Sequence, residues 1–339
     1  MPVVPGTYYL RNEQNDMIAD IEGPTMANGT EIHQWSFHGD DSQKWRLIYN
    51  TSNQSYTIRS LNSASNYYLS VENGAQGDGQ SIVLSTSIQT QWKIESGEEG
   101  FKIISYTSGN TDYVLATSVS NKDNGKKLIQ GDYVAGNNSY RDEWDIIPAR
   151  YGTQTFRELD SSQYNDINCH GYAMMRDDNP QGWDLSVREY IVSEIDRDSY
   201  CQNTAGYVEA AEIGIAQVTD IAFRQWLTDN NYTWVYEPSF TGNGENTVLS
   251  DNQYRVVMRI GSDCVCIADC SDHIIEYDYH FWYQIYDGRW ANKHGTIGAP
   301  ELLPEGTTPF SSNTSGWNLG SDIDFYDSPI YSYIITIGA

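Results

Sequence analysis

Cationic side chains are scarce in this chain: 20 Lys and Arg stand against 46 Asp and Glu over 339 residues, a formal charge of −26. Such acidity repels phosphate backbones and anionic bilayers, which excludes nucleic acid as an electrostatic partner. Long apolar runs are missing too. No segment approaches the roughly 20 apolar residues of a membrane span. The opening Met1-Pro2-Val3-Val4-Pro5-Gly6 lacks the basic and apolar regions of a signal peptide, which predicts a cytoplasmic protein or one released without a conventional signal. Cysteine is sparse, with five residues, so two disulfides and one free thiol are arithmetically possible. A chain of this size can bury its cores without such staples, and reduced, buried thiols are the expectation. Cys264, Cys266 and Cys270, with His273 nearby, are grouped like soft-metal ligands. Their spacing does not match the paired-knuckle zinc patterns.

Aromatic residues are plentiful, with 26 Tyr and 10 Trp. The first 150 residues hold an internal repeat. Its units open at Gly6-Thr7-Tyr8-Tyr9-Leu10, Tyr56-Thr57-Ile58-Arg59-Ser60 and Phe101-Lys102-Ile103-Ile104-Ser105. They close on Gln43-Lys44-Trp45, Thr90-Gln91-Trp92 and Asp142-Glu143-Trp144, with tryptophans 47 and 52 residues apart. Short alternating runs and turns such as Asn28-Gly29, Asn73-Gly74 and Asn124-Gly125 predict hairpins within each unit.

Three such units resemble the ricin B-type lectins, β-trefoils with a Gln-x-Trp signature in each lobe. The resemblance covers residues 1–148 and implies an all-β trefoil. The first lobe alone keeps Gln-x-Trp. Sugar binding in that family uses a carboxylate, an aromatic platform and a polar group near the signature. The first lobe offers Asp20, His33, Trp35 and Gln43 for these parts. The second has Ser70 and Ser85 instead, and the third Ala116 and Gly131, so one sugar site is expected.

Residues 149–339 have a different texture. Val187 to Ile195 and Val208 to Trp226 carry apolar residues at helical spacing, as at Val208, Ala211, Ile215, Val218 and Ala222. Strand-like runs follow at Tyr254 to Ile260, Val265 to Ala268, Tyr279 to Tyr286 and Ile330 to Ile337. Helices followed by an antiparallel sheet predict an α+β domain. Cys169 heads a segment that can start a helix, where the dipole and an imidazolium would lower its pKa. His280 lies in an aromatic strand, and Asn292 lies twelve residues on, across a hairpin turning at Asp287-Gly288. Nucleophile, general base and orienting amide make a thiol acyl-transfer site wherever they meet.

Asn168-Cys169-His170-Gly171-Tyr172-Ala173 is similar to the Asn-Cys-Tyr-Ala-Tyr-Ala signature of a bacterial group of papain-like proteins. Asp278-Tyr279-His280-Phe281-Trp282-Tyr283-Gln284 and Gly288-Arg289-Trp290-Ala291-Asn292-Lys293-His294-Gly295 resemble that group's Asp-Tyr-His-Trp-Tyr-Arg-Gln and Gly-x-Trp-Ser-His-Lys-Pro-Gly. The resemblance implies a Cys169–His280–Asn292 triad in a papain-like (NlpC-type) fold. Gln163, six residues before Cys169 as in papain, is the candidate oxyanion donor. His170 reads as wall or surface.

Together the halves resemble the fungal chimerolectins, in which a ricin-type trefoil is joined to a papain-like cysteine peptidase. That implies glycans and a peptide or protein substrate as partners, and a defence or toxin role. Alternatives are another thiol acyl transfer (amidase, transglutaminase or deamidase) or a lectin whose papain-like domain only dimerises, forming a homodimer. No cofactor is required by these residues. Calcium is possible at carboxylates including Asp263, Asp269, Asp272, Glu276, Asp278 and Asp287, which lack EF-hand spacing.

Overall fold

A computed structural model of the protein describes residues 3–23, 26–62, 66–106, 113–133, 141–180, 182–202, 206–238, 240, 247–267, 272–293, 299–304 and 330–337. The chain divides into two compact units, Met1–Arg150 and Tyr151–Ala339.

Each repeat of the first unit supplies four strands. They are β1 (Gly6–Asn12), β2 (Ile18–Ile21), β3 (Ile32–Trp35) and β4 (Trp45–Asn50); β5 (Ser55–Ser60), β6 (Tyr68–Val71), β7 (Gln80–Ser85) and β8 (Gln91–Ser96); and β9 (Phe101–Tyr106), β10 (Tyr113–Thr117), β11 (Lys126–Asp132) and β12 (Glu143–Pro148). The outer strands of the three repeats pair in a ring, β1–β4–β5–β8–β9–β12 and back to β1, all antiparallel. The inner strands form hairpins β2–β3, β6–β7 and β10–β11. Pairing of β11 with β3 and β7 ties the hairpins together. A closed six-stranded ring with a triplet of hairpins is a β-trefoil.

The physical reason for the threefold pattern lies in the tryptophans. Trp45, Trp92 and Trp144 are fully buried, and a buried indole must find an acceptor for its N–H. Each donates to the inner hairpin of its own repeat: Trp45 to the Ala19 carbonyl at 2.9 Å, Trp92 to Leu69 at 3.0 Å, Trp144 to Leu115 at 2.8 Å. Leu10, Leu47, Ile58, Ile82, Ile103 and Leu128 fill the space between them. The indole therefore joins ring to hairpin once per repeat. Replacing Trp92 by Ala removes both the packing and the bond and is expected to destabilise the unit by about 3–5 kcal/mol. Trp92→Phe keeps most of the apolar volume and should cost about 1–3 kcal/mol, for the orphaned carbonyl. Chemical denaturation of the two variants measures both.

The second unit contains α1 (Cys169–Ala173), α2 (Leu185–Glu194), α3 (Arg197–Cys201) and α4 (Tyr207–Asp229). Its sheet comprises β13 (Thr233–Tyr236), β14 (Gln253–Ile267), β15 (Asp272–Gln284), β16 (Trp290–Lys293), β17 (Pro300–Leu302) and β18 (Tyr331–Thr336). The strand order is β13-β18-β14-β15-β16-β17, antiparallel throughout. Helices do precede the sheet. Helix α4 buries Ala211, Ile215, Thr219, Ala222, Phe223 and Leu227, a stripe of helical period. Strands β14 and β15 are longer than the apolar runs in the sequence. They pair from Val256↔Tyr283 to Ile267↔Asp272, because ladder bonds are made by the backbone and continue through Gly261-Ser262-Asp263.

Alternation along β15 sorts the site residues. Tyr277, Tyr279, Phe281 and Tyr283 pack with the residues of α1 and α4. Trp282 joins Phe240, Val257, Trp290 and Leu303 in a separate cluster on the other face.

The expectation of reduced thiols fails at two positions. Cys201 in α3 and Cys264 in β14 form a disulfide, with Cα atoms 5.2 Å apart, well inside bridging range. Helix α3 is laid against β14, a proximity that the 63-residue separation concealed. The side chains of Cys266 and His273, and all of Cys270 and His294, lie outside the described residues. So do Asp269 and the side chains of Asp263, Asp272 and Glu276. Among the described residues no group of three or more His, Cys, Asp or Glu side chains gathers as a metal site, and no helix is long and apolar enough to cross a membrane.

Candidate functional site

In the first trefoil lobe β2 and β3 pair with Asp20 opposite His33. Asp20 is 4 % exposed. Its Oδ1 accepts the Ile21 N–H at 2.7 Å, and its Oδ2 accepts His38 Nε2 at 2.9 Å and Gln43 Nε2 at 3.4 Å. His33 Nε2 stands 3.9 Å from the same oxygen. The His33 ring stacks on Trp35 with centroids 5.2 Å apart. Burial would raise the Asp20 pKa, but the polar side chains of His33, His38 and Ser42 around it outweigh that and hold the carboxyl below its usual value. Asp20 is an ionised acceptor beside a half-buried indole.

Gln43 has a different part from the one the sequence suggested. It is fully buried. Its Oε1 accepts the N–H groups of His38 and Gly39 at 2.9 and 3.1 Å, while its Nε2 donates to the Ser36 carbonyl at 3.0 Å. The amide is consumed in holding loop 36–39 and Asp20, so Gln43 supports the site and does not line it. His38 is the residue that sequence reasoning missed. Asp40 N–H donates to its Nδ1 at 3.3 Å, which puts the ring proton on Nε2, facing Asp20. The only signal was a histidine in the loop between Trp35 and the Gln-x-Trp. In the second lobe Ser70 Oγ is buried with no hydrogen-bond partner among the described residues. In the third, a Cβ on Gly131 would stand 3.1 Å from that of Ala116. Ser70, Ser85, Ala116 and Gly131 carry neither a carboxylate nor a ring.

In the second unit Cys169 is the first residue of α1. Asn168 caps the helix, its Oδ1 accepting the Gly171 N–H at 2.8 Å. Gly171 is required by a close approach: a Cβ there would stand 2.2 Å from the Asp178 carbonyl. The Cys169 thiol reaches the Tyr279 carbonyl at 3.7 Å and accepts the Phe281 N–H. These are the peptide groups on either side of His280. His280 is 1 % exposed, and its Nε2 meets Asn292 Oδ1 at 3.2 Å. The pairing Trp282↔Asn292 across the hairpin sets this diagonal contact. An amide oxygen only accepts, so the bond places the proton on Nε2 and makes Nδ1 the basic nitrogen. The ring also lies edge-on to Trp282 at 4.3 Å.

Three expectations need correction here. The thiol is not depressed by a helix dipole. Helix α1 has five residues, burial dominates, and the charge of Asp278 adds to it, pushing the thiol up to about 12 against weaker opposing help from Phe281, His170 and Lys293. Gln163 ends a short 3₁₀ turn, Ser161–Gln163, and its Oε1 accepts the Asp160 N–H at 3.0 Å in a capping box. The structure thus gives that side chain a capping role. His170 is no surface residue. It is fully buried between Trp183, Phe223, Trp226 and Phe281, with neither ring nitrogen hydrogen-bonded among the described residues.

Residues 2–85 match the profile of a family described as ricin-type beta-trefoil lectin domain-like. The N-terminal unit is a β-trefoil that resembles a ricin-type lectin domain over residues 2–85. Solved structures similar to the chain include the Rhizoctonia solani agglutinin, 25 % identical, covering 44 % of this chain and 98 % of that one with a TM-score of 0.39. A ricin B-like lectin of Macrolepiota procera, solved with lactose, is 24 % identical over 43 % of this chain and 98 % of its own, TM-score 0.35. The Polyporus squamosus lectin, solved with a sialylated epitope, covers 88 % of this chain and 94 % of its own at 13 % identity and TM-score 0.36. No curated protein matches the chain.

His170 generates a pH prediction. Burial, then the charge of Arg176, lower its pKa to about 3, from 6.5. Below pH 6.5 the unfolded chain takes up a proton that the folded unit refuses until about pH 3. Stability should therefore fall on acidification through that window, by about 1.4 kcal/mol per pH unit. His170→Phe is expected to flatten the slope in a pH series of thermal melts.

Proposed function

We propose that this chain is a carbohydrate-binding protein whose first trefoil lobe takes one sugar, joined to a thiol enzyme of papain-like type. The observation that carries the sugar reading is Asp20, an ionised carboxylate oriented by His38 and Gln43 beside Trp35. Sugar hydroxyls donate to such a carboxylate, the histidines complete the polar edge, and the indole covers the apolar face of the ring. The match of residues 2–85 to a lectin-like family supports the same reading. Asp20→Ala should weaken glycan binding by about 1.5–3 kcal/mol, roughly tenfold to a hundredfold. Trp35→Ala should do comparable damage, and Ser70→Ala none. A glycan array followed by titration of each variant checks this. Undiminished binding by the Asp20/Trp35 double variant would place the sugar elsewhere.

The enzyme reading is supported by the thiol lying against the two peptides that flank His280, while Asn292 orients the ring. In that reading the Cys169 proton passes to His280 Nδ1 and the sulfur attacks the carbonyl carbon of a peptide or protein substrate. The imidazolium then protonates the leaving amine, and water releases the acyl group. A thiol held near 12 is neutral at rest, so the nucleophile forms as His280 removes the proton. Amidase, transglutaminase and deamidase reactions share these steps and differ in the acyl acceptor and donor.

Cys169→Ala and His280→Ala should each lower peptide turnover by a factor on the order of 10³ or more, because nucleophile and base act as a unit. Asn292→Ala should be milder, and all three should leave glycan binding unchanged. Steady-state kinetics on the full chain measures this, and unchanged turnover by Cys169→Ala assigns the second unit a structural role.

A further inference from the structure

Lysine is among the side chains least often fully buried, yet Lys293 is 0 % exposed in β16. A buried ammonium needs a compensating anion or strong acceptors. Alternation along β16 turns Asn292 to His280 and puts Lys293 on the side of Ala291, a member of the core that contains Cys169. Helix α1 packs against both β15 and β16, which brings the head of the helix to that side of the strand. Burial lowers the Lys293 pKa, and Cys169 opposes that shift, since Lys293 and Cys169 each favour the other's charged form.

Other titratable groups act on the thiol. Asp278 and Tyr279 come from β15, and His170 from α1 itself. The charge of Asp278 opposes a thiolate. His170 is neutral in its aromatic cage, and Tyr279 is held protonated by burial. That leaves Lys293, among these groups, as the resting positive charge that favours an anion at sulfur.

The geometry points to Lys293 as a positioning residue for the thiol chemistry: its ammonium holds negative charge on Cys169 Sγ while His280 Nδ1 carries away the proton. The S–H bond breaks, an N–H bond forms on the imidazole, and the electron pair stays on sulfur. No bond to Lys293 is made or broken. The inference rests on the enzyme reading above, and it supplies the favourable charge that a five-residue helix cannot.

The test uses the full chain and iodoacetamide, with the label assigned to Cys169 by peptide mapping and by its absence in Cys169→Ala. Rates are followed from about pH 6 to pH 10 for wild type, Lys293→Met, Lys293→Arg and His280→Ala, each first checked by thermal melting. Lys293→Met is expected to slow alkylation about tenfold at pH 8 and by a similar factor across the series. Lys293→Arg should restore the rate to within about threefold of wild type. If Met destabilises the unit, Lys293→Gln carries the same comparison. A wild-type profile for Lys293→Met, or no rescue by Arg, overturns the inference. Two results together would instead sink the Cys–His couple itself: no effect of His280→Ala on alkylation, and no peptide turnover by wild type.

Discussion

Strand β15 is hydrogen-bonded along both edges, to β14 over nearly its whole length and to β16 at its C-terminal end, and the second unit is organised around that double pairing. One edge fixes which residues of β15 face the helices. The other sets Asn292 diagonally across from His280. The described pairing with β16 ends at Trp282↔Asn292, and beyond it the Tyr279 carbonyl and the Phe281 N–H meet the thiol of α1. The strand carries His280 and meets the Cys169 thiol at its backbone. Shifting its register by one residue would exchange the two faces.

Much of this was legible in the sequence, for identifiable reasons. Trefoil repeats show because each lobe must bury one indole, and the tryptophans recur at matching places in every lobe. Helix α4 shows because its buried stripe keeps the 3.6-residue period over many turns. His280 and Asn292 could be paired because Asp287-Gly288 marks a turn, with Gly288 at φ 89°, and a hairpin fixes distances across it. What failed was long-range or environmental. The Cys201–Cys264 bridge depends on α3 meeting β14. The raised thiol depends on burial, and the short α1 on tertiary packing against the Asp178 loop. Gln163 was placed by a spacing, and a spacing does not reveal which backbone N–H an amide will find first.

The three trefoil lobes share a core and differ at their mouths. Each indole bond is nearly the same length, whereas the residue two before the tryptophan is Gln43, Thr90 or Asp142. Thr90 still supports its lobe, its Oγ1 accepting the Val71 N–H at 2.9 Å. It is too short to reach across and order a loop as Gln43 orders residues 36–39. The indole bond is thus common to the three lobes, and the residue two positions earlier differs between them.

The bridge between Cys201 and Cys264 closes a loop that contains α4, the longest helix of the second unit, together with β13 and the start of β14. Closing a loop of 63 residues restricts the unfolded chain by about 4 kcal/mol in the chain-entropy account, a large share of a typical domain's margin. The persistence of this half of the molecule is therefore tied to the redox poise of its surroundings. A glutathione-rich milieu would loosen the sheet that carries His280 and leave the trefoil, whose described strands contain no cysteine, as it was.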